Sequence, residues 1–421
     1  MKQSTLSLRG CLVLSVLAYR PIWGLTEWKN EGLCAWDPVT PLLETRFCEL
    51  QLDTTTRTLR QNETEKARFV NTEWKGPHGC AEGFCLYSNP GFYSGRGIVA
   101  ITPEILLPAL KKLRSQPEGI DTPENYHVEK VPGKGLGVMA DGLINRGDVV
   151  MPRPPAFLAH KRFLEDHATS PEQNALLEKG LSLLPEKTAK LFLSQMAHMG
   201  GHRINDIFMT NGYQVVLDGQ DSHHYGSYPE ISRVNHDCRP NLAYYIDEDF
   251  VHRTRAARRI EPGEELTVTY LNPFMLRDAR KRRAHNSWGF DCQCPQCSLS
   301  DALAHQSDGR LRRIDELEPM MENLEKDITM GDIREMMEIY EKERMDIKLA
   351  GPLTLAAMNA NLLGQATEAR EYAKRAAEAG IIERGESEDV KSMRLLAKDP
   401  KGHFTWRGRV TENGLKHHKI H

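Results

Sequence analysis

The chain has 421 residues, of which 40% are hydrophobic and 27% charged. That composition excludes a polytopic membrane protein, a collagen-like fibre and a mostly disordered chain, and at about 100–200 residues per unit it predicts several folded units. Lysine plus arginine number 55 against 58 acidic residues, a net charge of -3, which excludes a globally basic nucleic-acid binder.

Lys2 and Arg9 precede an apolar run from Cys11 to Tyr19 that Arg20 and Pro21 end. The run has the length of a signal-peptide core, about 7–15 residues, and falls short of the about 20 that a spanning helix takes. Residues 1–24 are therefore expected to be a secretory signal peptide cleaved near Gly24, the alternative being a buried N-terminal helix or strand. No later segment is long and apolar enough to span a membrane.

The next stretch, residues 25–125, carries Cys34, Cys48, Cys80 and Cys85. After a signal peptide these four read as two disulfides with the connectivity open; in a reducing compartment they read as buried thiols. Asn62-Glu-Thr64 is a glycosylation sequon between them, so a glycoprotein is expected on the lumenal reading. Residues 103–114 predict a helix with proline near its first turn, and Pro117, Gly119 and Pro123 predict a linker over 115–125.

From Tyr126 to Tyr270 short apolar runs alternate with Gly, Pro and Asp, among them Gly137–Ala140, Asp148–Met151, Gln214–Leu217 and Glu265–Tyr270. These predict strands. A helical pattern over 160–200 interrupts them. After Ser298 the spacing of Leu311, Ile314, Leu317, Ile333, Met336 and Tyr340 is helical, and Leu362–Ala376 has the texture of one or two degenerate helical repeats. The methionine stripe reads as packing, and the tail 401–421 as a solvated end. The fold class expected is α+β: a mostly-β centre over 126–270 with a helical insertion, a cysteine segment over 271–298, and an all-helical region over 299–400.

Cys292-Gln-Cys294-Pro-Gln-Cys297 places three thiols within six residues. Zinc takes four ligands in a tetrahedron, and Cys238 is the other cysteine in this half of the chain. Four thiolates leave no open position, so such a metal would be structural. The alternative is a disulfide with free thiols, which the Cys-x-Cys spacing disfavours. The basic stretches Arg253, Arg255, Arg258, Arg259 and Arg277, Arg280–Arg283 read as solvated faces rather than a nucleic-acid surface.

Four pieces carry chemistry, in order: Gly133-Lys-Gly-Leu-Gly137, Arg233-Val-Asn-His-Asp-Cys-Arg-Pro-Asn241, Glu261-Pro-Gly-Glu-Glu-Leu-Thr-Val-Thr-Tyr270, and Phe290 to Cys297. The glycine segment alone reads as a turn, as does the similar Ser94-Gly-Arg-Gly-Ile98. Asn235 and His236 together offer donors and acceptors to a polar small molecule. Tyr270 is expected to close a strand whose other face holds Leu266 and Val268.

Taken together, these pieces resemble the SET domain of protein lysine methyltransferases, strongly over 126–298 and loosely over 299–400. The helical insertion and C-terminal helices are similar to the SET-and-MYND branch, though no MYND finger is present. The resemblance implies an enzyme that transfers a methyl group from S-adenosylmethionine to a lysine of a protein substrate. It implies that Lys134, Gly135, Leu136 and Gly137 offer backbone contacts to the cofactor, that Asn235 and His236 hold its amino-acid and adenine ends, and that Phe290 packs on the adenine. Tyr270 would be the catalytic tyrosine, and Cys238, Cys292, Cys294 and Cys297 would hold a structural zinc. The C-terminal helices would bind partner proteins, or, in a silent module, would be the whole function. The N-terminal features predict the secretory pathway, whereas the resemblance predicts nucleus or cytoplasm.

Overall fold

The computed structural model describes residues 74–117, 119, 124–166, 170–218 and 221–410. The expected signal peptide, Cys34, Cys48, the Asn62 sequon and residues 411–421 of the tail lie outside these.

Strand β1 (Cys80–Ala81) folds back on β2 (Phe84–Asn89) through Glu82 and Gly83, both at positive φ. Cys80 and Cys85 face each other across this hairpin as a disulfide with Cα atoms 4.1 Å apart. β2 pairs with β3 (Ile98–Thr102), and β3 runs parallel to a strand far along the chain, Phe157–His160. Residues on either side of the expected division at 125/126 therefore share a sheet. Both faces of β2 and β3 are buried; β3 is apolar up to Thr102, whereas β2 ends in the buried polar pair Ser88 and Asn89.

The expected helix over 103–114 is broken. Glu104–Leu106 is a 3-10 turn and Leu107–Leu110 a single α-turn. Pro108 has no N–H to return to Glu104, so the first turn cannot propagate.

Strands β4 (Tyr126–Val131), β5 (Gly135–Ala140) and β6 (Val149–Arg153) follow, and then β7, the Phe157–His160 strand. Helices α1 (Lys161–Asp166), α2 (Pro171–Ser182), α3 (Glu186–Leu193) and α4 (Arg203–Asn211) form the insertion. α2 starts where Ser170 Oγ accepts from the Gln173 N–H and Pro171 occupies the first turn. β8 (Tyr213–Val216) and β9 (His223–Ser227) complete a six-stranded sheet in the order β1-β2-β3-β7-β9-β8. The insertion covers one face of this sheet, where Phe157 meets Phe192 and Phe208 with ring centroids 5.7 and 5.1 Å apart. Tyr87, Ile98, Ala100 and Leu158 point to the other face.

β10 (Asn235–His236), β11 (Leu242–Ile246), β12 (His252–Ala256) and β13 (Glu265–Val268) build two smaller sheets, β10-β13-β5-β4 and β11-β12-β6. Between them lie Val138, Met151, Val234, Leu242, Leu266 and Val268, all buried.

Helix α5 (Arg277–Trp288) leads to the cysteine segment. Beyond it come α6 (Asp301–Glu322), α7 (Met330–Lys342), α8 (Ala350–Leu362), α9 (Ala366–Arg384) and α10 (Glu388–Lys398). α7 opens on a capping box between Thr329 and Asp332. Ala357 on α8 and Ala373, Ala376 and Ala377 on α9 share one buried cluster, small side chains that let the two helices approach closely. Among the described residues no helix is long and apolar enough to cross a membrane.

Candidate functional site

The site begins with one residue pattern, Asn235-His236-Asp237-Cys238-Arg239-Pro240-Asn241, and the strand it lies against. Asn235 and His236 form β10, which runs parallel to β13 with Asn235 opposite Thr267 and His236 opposite Val268. Asn241 fastens the far end of this loop to the same strand. Its Oδ1 accepts the Thr267 N–H at 2.8 Å, and its Nδ2 donates to the Glu265 carbonyl at 2.8 Å. A buried asparagine spending both its donor and its acceptor on backbone fixes a loop more firmly than packing alone.

The glycine segment reaches the loop as the β4–β5 hairpin. Gly133 and Gly135 sit at positive φ in or beside its turn. Asn235 Nδ2 donates to the Leu136 carbonyl at 3.1 Å and to Glu265 Oε1 at 2.9 Å, and Lys134 Nζ donates to Glu265 Oε2 at 2.6 Å. Gly137 makes this convergence feasible: a Cβ there would lie 2.5 Å from Val131 Cγ2 and 2.9 Å from Asn235 Nδ2. The similar segment at 94–98 does not join the site. Its Gly97 packs on Pro185, and its Arg96 pairs with Glu230.

Tyr270 lies two residues beyond the end of β13, at Val268, rather than closing the strand. Its backbone N–H donates to His236 Nδ1 at 3.0 Å, and its hydroxyl donates to the Val234 carbonyl at 2.8 Å. His236 Nε2 is 3.3 Å from Cys238 Sγ. With Nδ1 accepting, the ring carries its proton on Nε2 and donates to the sulfur. Burial lowers the His236 pKa to about 4, so the ring is neutral. Burial also pushes the Tyr270 phenol up, keeping it protonated.

Phe290 stands with its ring 5.8 Å from that of His236 and 6.4 Å from that of Tyr270. Trp288, which the sequence reading did not single out, is closer to Tyr270 at 5.6 Å, and its Nε1 donates to the Thr210 carbonyl at 3.2 Å. A second aromatic group adjoins. Tyr213 meets Tyr228, Tyr244 and His252 with ring centroids 5.6, 5.3 and 4.6 Å apart. Burial raises the Tyr213 phenol, with further contributions from Tyr244, Tyr270 and Tyr228, so these hydroxyls are un-ionised. Glu265 was missed as well, although it binds both Asn235 and Lys134; its place in the Gly-Glu-Glu-Leu run was the available signal.

Cys238, Cys292, Cys294 and Cys297 are buried, and their sulfur atoms all lie within 4.8 Å of one another. Cys238 Sγ is 4.0 Å from Cys292 Sγ and 3.5 Å from Cys297 Sγ. Zinc–sulfur bonds of about 2.3 Å in a tetrahedron place sulfurs about 3.8 Å apart, so the group fits a zinc ion. Hydrogen bonds from Cys238 lower the Cys294 and Cys297 thiols, while the bonds among the same sulfurs raise Cys238 and Cys292. Buried Arg280 faces the same sulfurs, and they raise its own pKa against the effect of burial.

Several of the other basic residues are paired, whereas Lys281, Arg282 and Arg283 are exposed on α5. Arg253 pairs with Asp247, Arg258 with Glu264, Arg259 with Glu261 and Arg277 with Asp301.

Residues 135–271 match the family model described as SET domain. The chain is 33% identical over 102 residues to a SET domain-containing protein of Acanthamoeba polyphaga mimivirus, covering 24% of this chain and 35% of that one. It is 33% identical over 101 residues to histone-lysine N-methyltransferase SMYD3 of Homo sapiens, covering 24% of this chain and 23% of that enzyme. It is 41% identical over 73 residues to histone-lysine N-methyltransferase SET5 of Saccharomyces cerevisiae, covering 17% and 14%. The chain thus spans about a third or less of the length of these relatives.

Proposed function

On the premise that residues 135–271 are a SET domain, we propose that this protein is an S-adenosylmethionine-dependent protein-lysine N-methyltransferase. The observation that carries the reading is the junction at His236, which ties the Asn235 loop, Tyr270 and the cysteine group into one centre. S-adenosylmethionine supplies a methyl group on a sulfonium sulfur, and transfer forms the lysine N–C bond as the C–S bond breaks.

The chain's own residues would do the following. The backbone of Lys134–Gly137 and the side chains of Asn235 and His236 bind the cofactor, with Phe290 against its adenine. Tyr270 orients the reacting amine. Because its hydroxyl proton is committed to the Val234 carbonyl, its oxygen is left as an acceptor for the lysine N–H. A free lysine has a pKa of about 10.4 and must lose a proton before attack. The aromatic walls around Tyr213 and Trp288 exclude water and so favour the neutral amine. Tyr270 acts by positioning rather than as a base, since burial keeps its phenol protonated.

Zinc held by Cys238, Cys292, Cys294 and Cys297 would be architectural, ordering the segment that carries Trp288 and Phe290. The printed activity of the relatives, histone-lysine methylation, favours a protein substrate and a nuclear or cytoplasmic setting. Residues 126–270 would form the catalytic unit, 271–298 its zinc segment, and 299–400 a helical region.

The test is isothermal titration of the full-length protein with S-adenosylmethionine, followed by transfer of a labelled methyl group to histones. Binding with label on lysine supports the reading; a protein that takes up no cofactor overturns it.

A further inference from the structure

Arg239 follows Cys238 directly, and its guanidinium is inside the protein. Its side chain is 1% exposed and that of its partner Glu343, just past the end of α7, is 0% exposed. Each guanidinium nitrogen has an acceptor. Nε donates to the Glu343 carbonyl at 2.6 Å, Nη1 to the Cys238 and Pro273 carbonyls at 2.8 and 3.0 Å, and Nη2 to Glu343 Oε2 at 2.8 Å.

The Glu343 carboxylate collects more donors. Oε2 also receives Ser307 Oγ at 2.8 Å and Gln296 Nε2 at 3.2 Å, and Oε1 receives Arg310 Nε at 2.8 Å. Gln296 lies between Cys294 and Cys297, and Ser307 and Arg310 lie on α6. One carboxylate therefore joins the Asn235–Asn241 loop, the cysteine turn and two C-terminal helices. These donors hold its pKa down although burial pushes the other way.

A buried ion pair seldom adds net stability over apolar side chains of the same volume, so stability is a weak reason for this arrangement. What a buried guanidinium with an acceptor on each nitrogen supplies is orientation. Here the oriented object is the backbone at Cys238–Arg239, two residues from His236.

We infer that Glu343 is a positioning residue for the methyl transfer, holding the cofactor loop in register through Arg239, so that the C-terminal helices are part of the site. This rests on the methyltransferase reading. The helices would then be required for cofactor binding even where no partner protein is present.

The experiment compares the full-length protein with Glu343→Gln, which keeps the shape and removes the charge, and with Arg239→Lys, which keeps the charge and removes the fork. Misplacing the loop should raise the Kd for S-adenosylmethionine about tenfold or more while the KM for the protein substrate stays within about twofold. Zinc transfer to a chelator should speed up about 10-fold or more, because Cys238 shares the displaced backbone. A variant that only melts earlier, with cofactor Kd and zinc release at wild-type values, overturns the inference. If the wild type itself binds no cofactor, the methyltransferase reading fails, and zinc release still decides whether Glu343 positions the loop. Should Glu343→Gln not fold, Arg239→Lys carries both measurements.

Discussion

His236 receives the backbone N–H of Tyr270 on Nδ1 at 3.0 Å, and the two rings lie 5.3 Å apart. This bond makes the position of the tyrosine a property of the histidine's tautomer. A ring protonated on Nδ1 would repel that N–H, so the bond to Cys238 on the opposite nitrogen supports Tyr270 at one remove.

Tyr270→Phe should lower kcat by about 100-fold, the cost of losing a group that holds the reacting atoms in place. The bond to the Val234 carbonyl is lost too, at a cost of about 1 kcal/mol, so the fold should survive. Single-turnover methyl transfer, with zinc content as a control on integrity, gives the comparison. Unchanged turnover removes Tyr270 from the mechanism.

The pH profile of transfer should rise with loss of one proton from the substrate lysine. It should show no falling limb from Tyr270 below about pH 10, the ordinary tyrosine value, because burial raises this phenol above it. A fall assigned to Tyr270 near neutrality would contradict the geometry.

Gly137→Ala should abolish measurable cofactor binding. The new methyl would sit 2.5 Å from Val131 Cγ2 and 2.9 Å from Asn235 Nδ2, so either the hairpin or the loop must move. Gly133→Ala, with nothing within 4 Å of its Cβ but a positive φ, should cost only backbone strain of about 1–2 kcal/mol and retain binding. Titration of the two variants side by side separates crowding from strain.

Metal analysis should find one zinc per chain, and Cys294→Ser should lose it. Chelation of the unsubstituted protein should expose these four thiols to alkylation and weaken cofactor binding, since Trp288 and Phe290 are carried by the same segment. A fully loaded site in Cys294→Ser is the result that would sink the four-thiolate assignment.

Stability should fall as the solution is acidified from about pH 6.5. His224 and His252 are buried and neutral, and burial lowers both pKa values to about 3. Between about 6.5, their unfolded value, and 3 the unfolded chain binds protons that the folded chain does not, so folding is disfavoured as pH drops. Each group contributes a slope of about 1.4 kcal/mol per pH unit within that window. Melting temperatures from pH 7 to 4 check it. His252→Phe, which also removes a buried Nε2 lacking a partner, should flatten the curve.

Much of the centre was legible in the sequence because its chemistry sits in short, unusual strings. Asn235-His236 and the three thiols at 292–297 announce polar recognition and metal ligation at close spacing, and the structure brings them together with Cys238, Tyr270 and the hairpin at 134–137. What escaped was held by distance. Glu343 meets Arg239 across 104 positions, and nothing local marks a glutamate at a helix end as the partner of a loop arginine. The N-terminal hairpin was read as separate because no periodicity reveals that Ile98–Thr102 will lie beside Phe157–His160. Trp288 follows a run of basic residues, and nothing in its spacing tells that its ring lies against Tyr270.

The parallel pairing of β3 with β7 bears on how the molecule can be shortened. A chain beginning at residue 126 would keep every residue assigned to cofactor and metal, yet would bare Phe157–His160 as an unpaired apolar margin. Such a margin recruits strands from neighbouring molecules. Fragments that begin at residue 126 should therefore clump during purification, whereas those retaining residues 74–117 should stay dispersed.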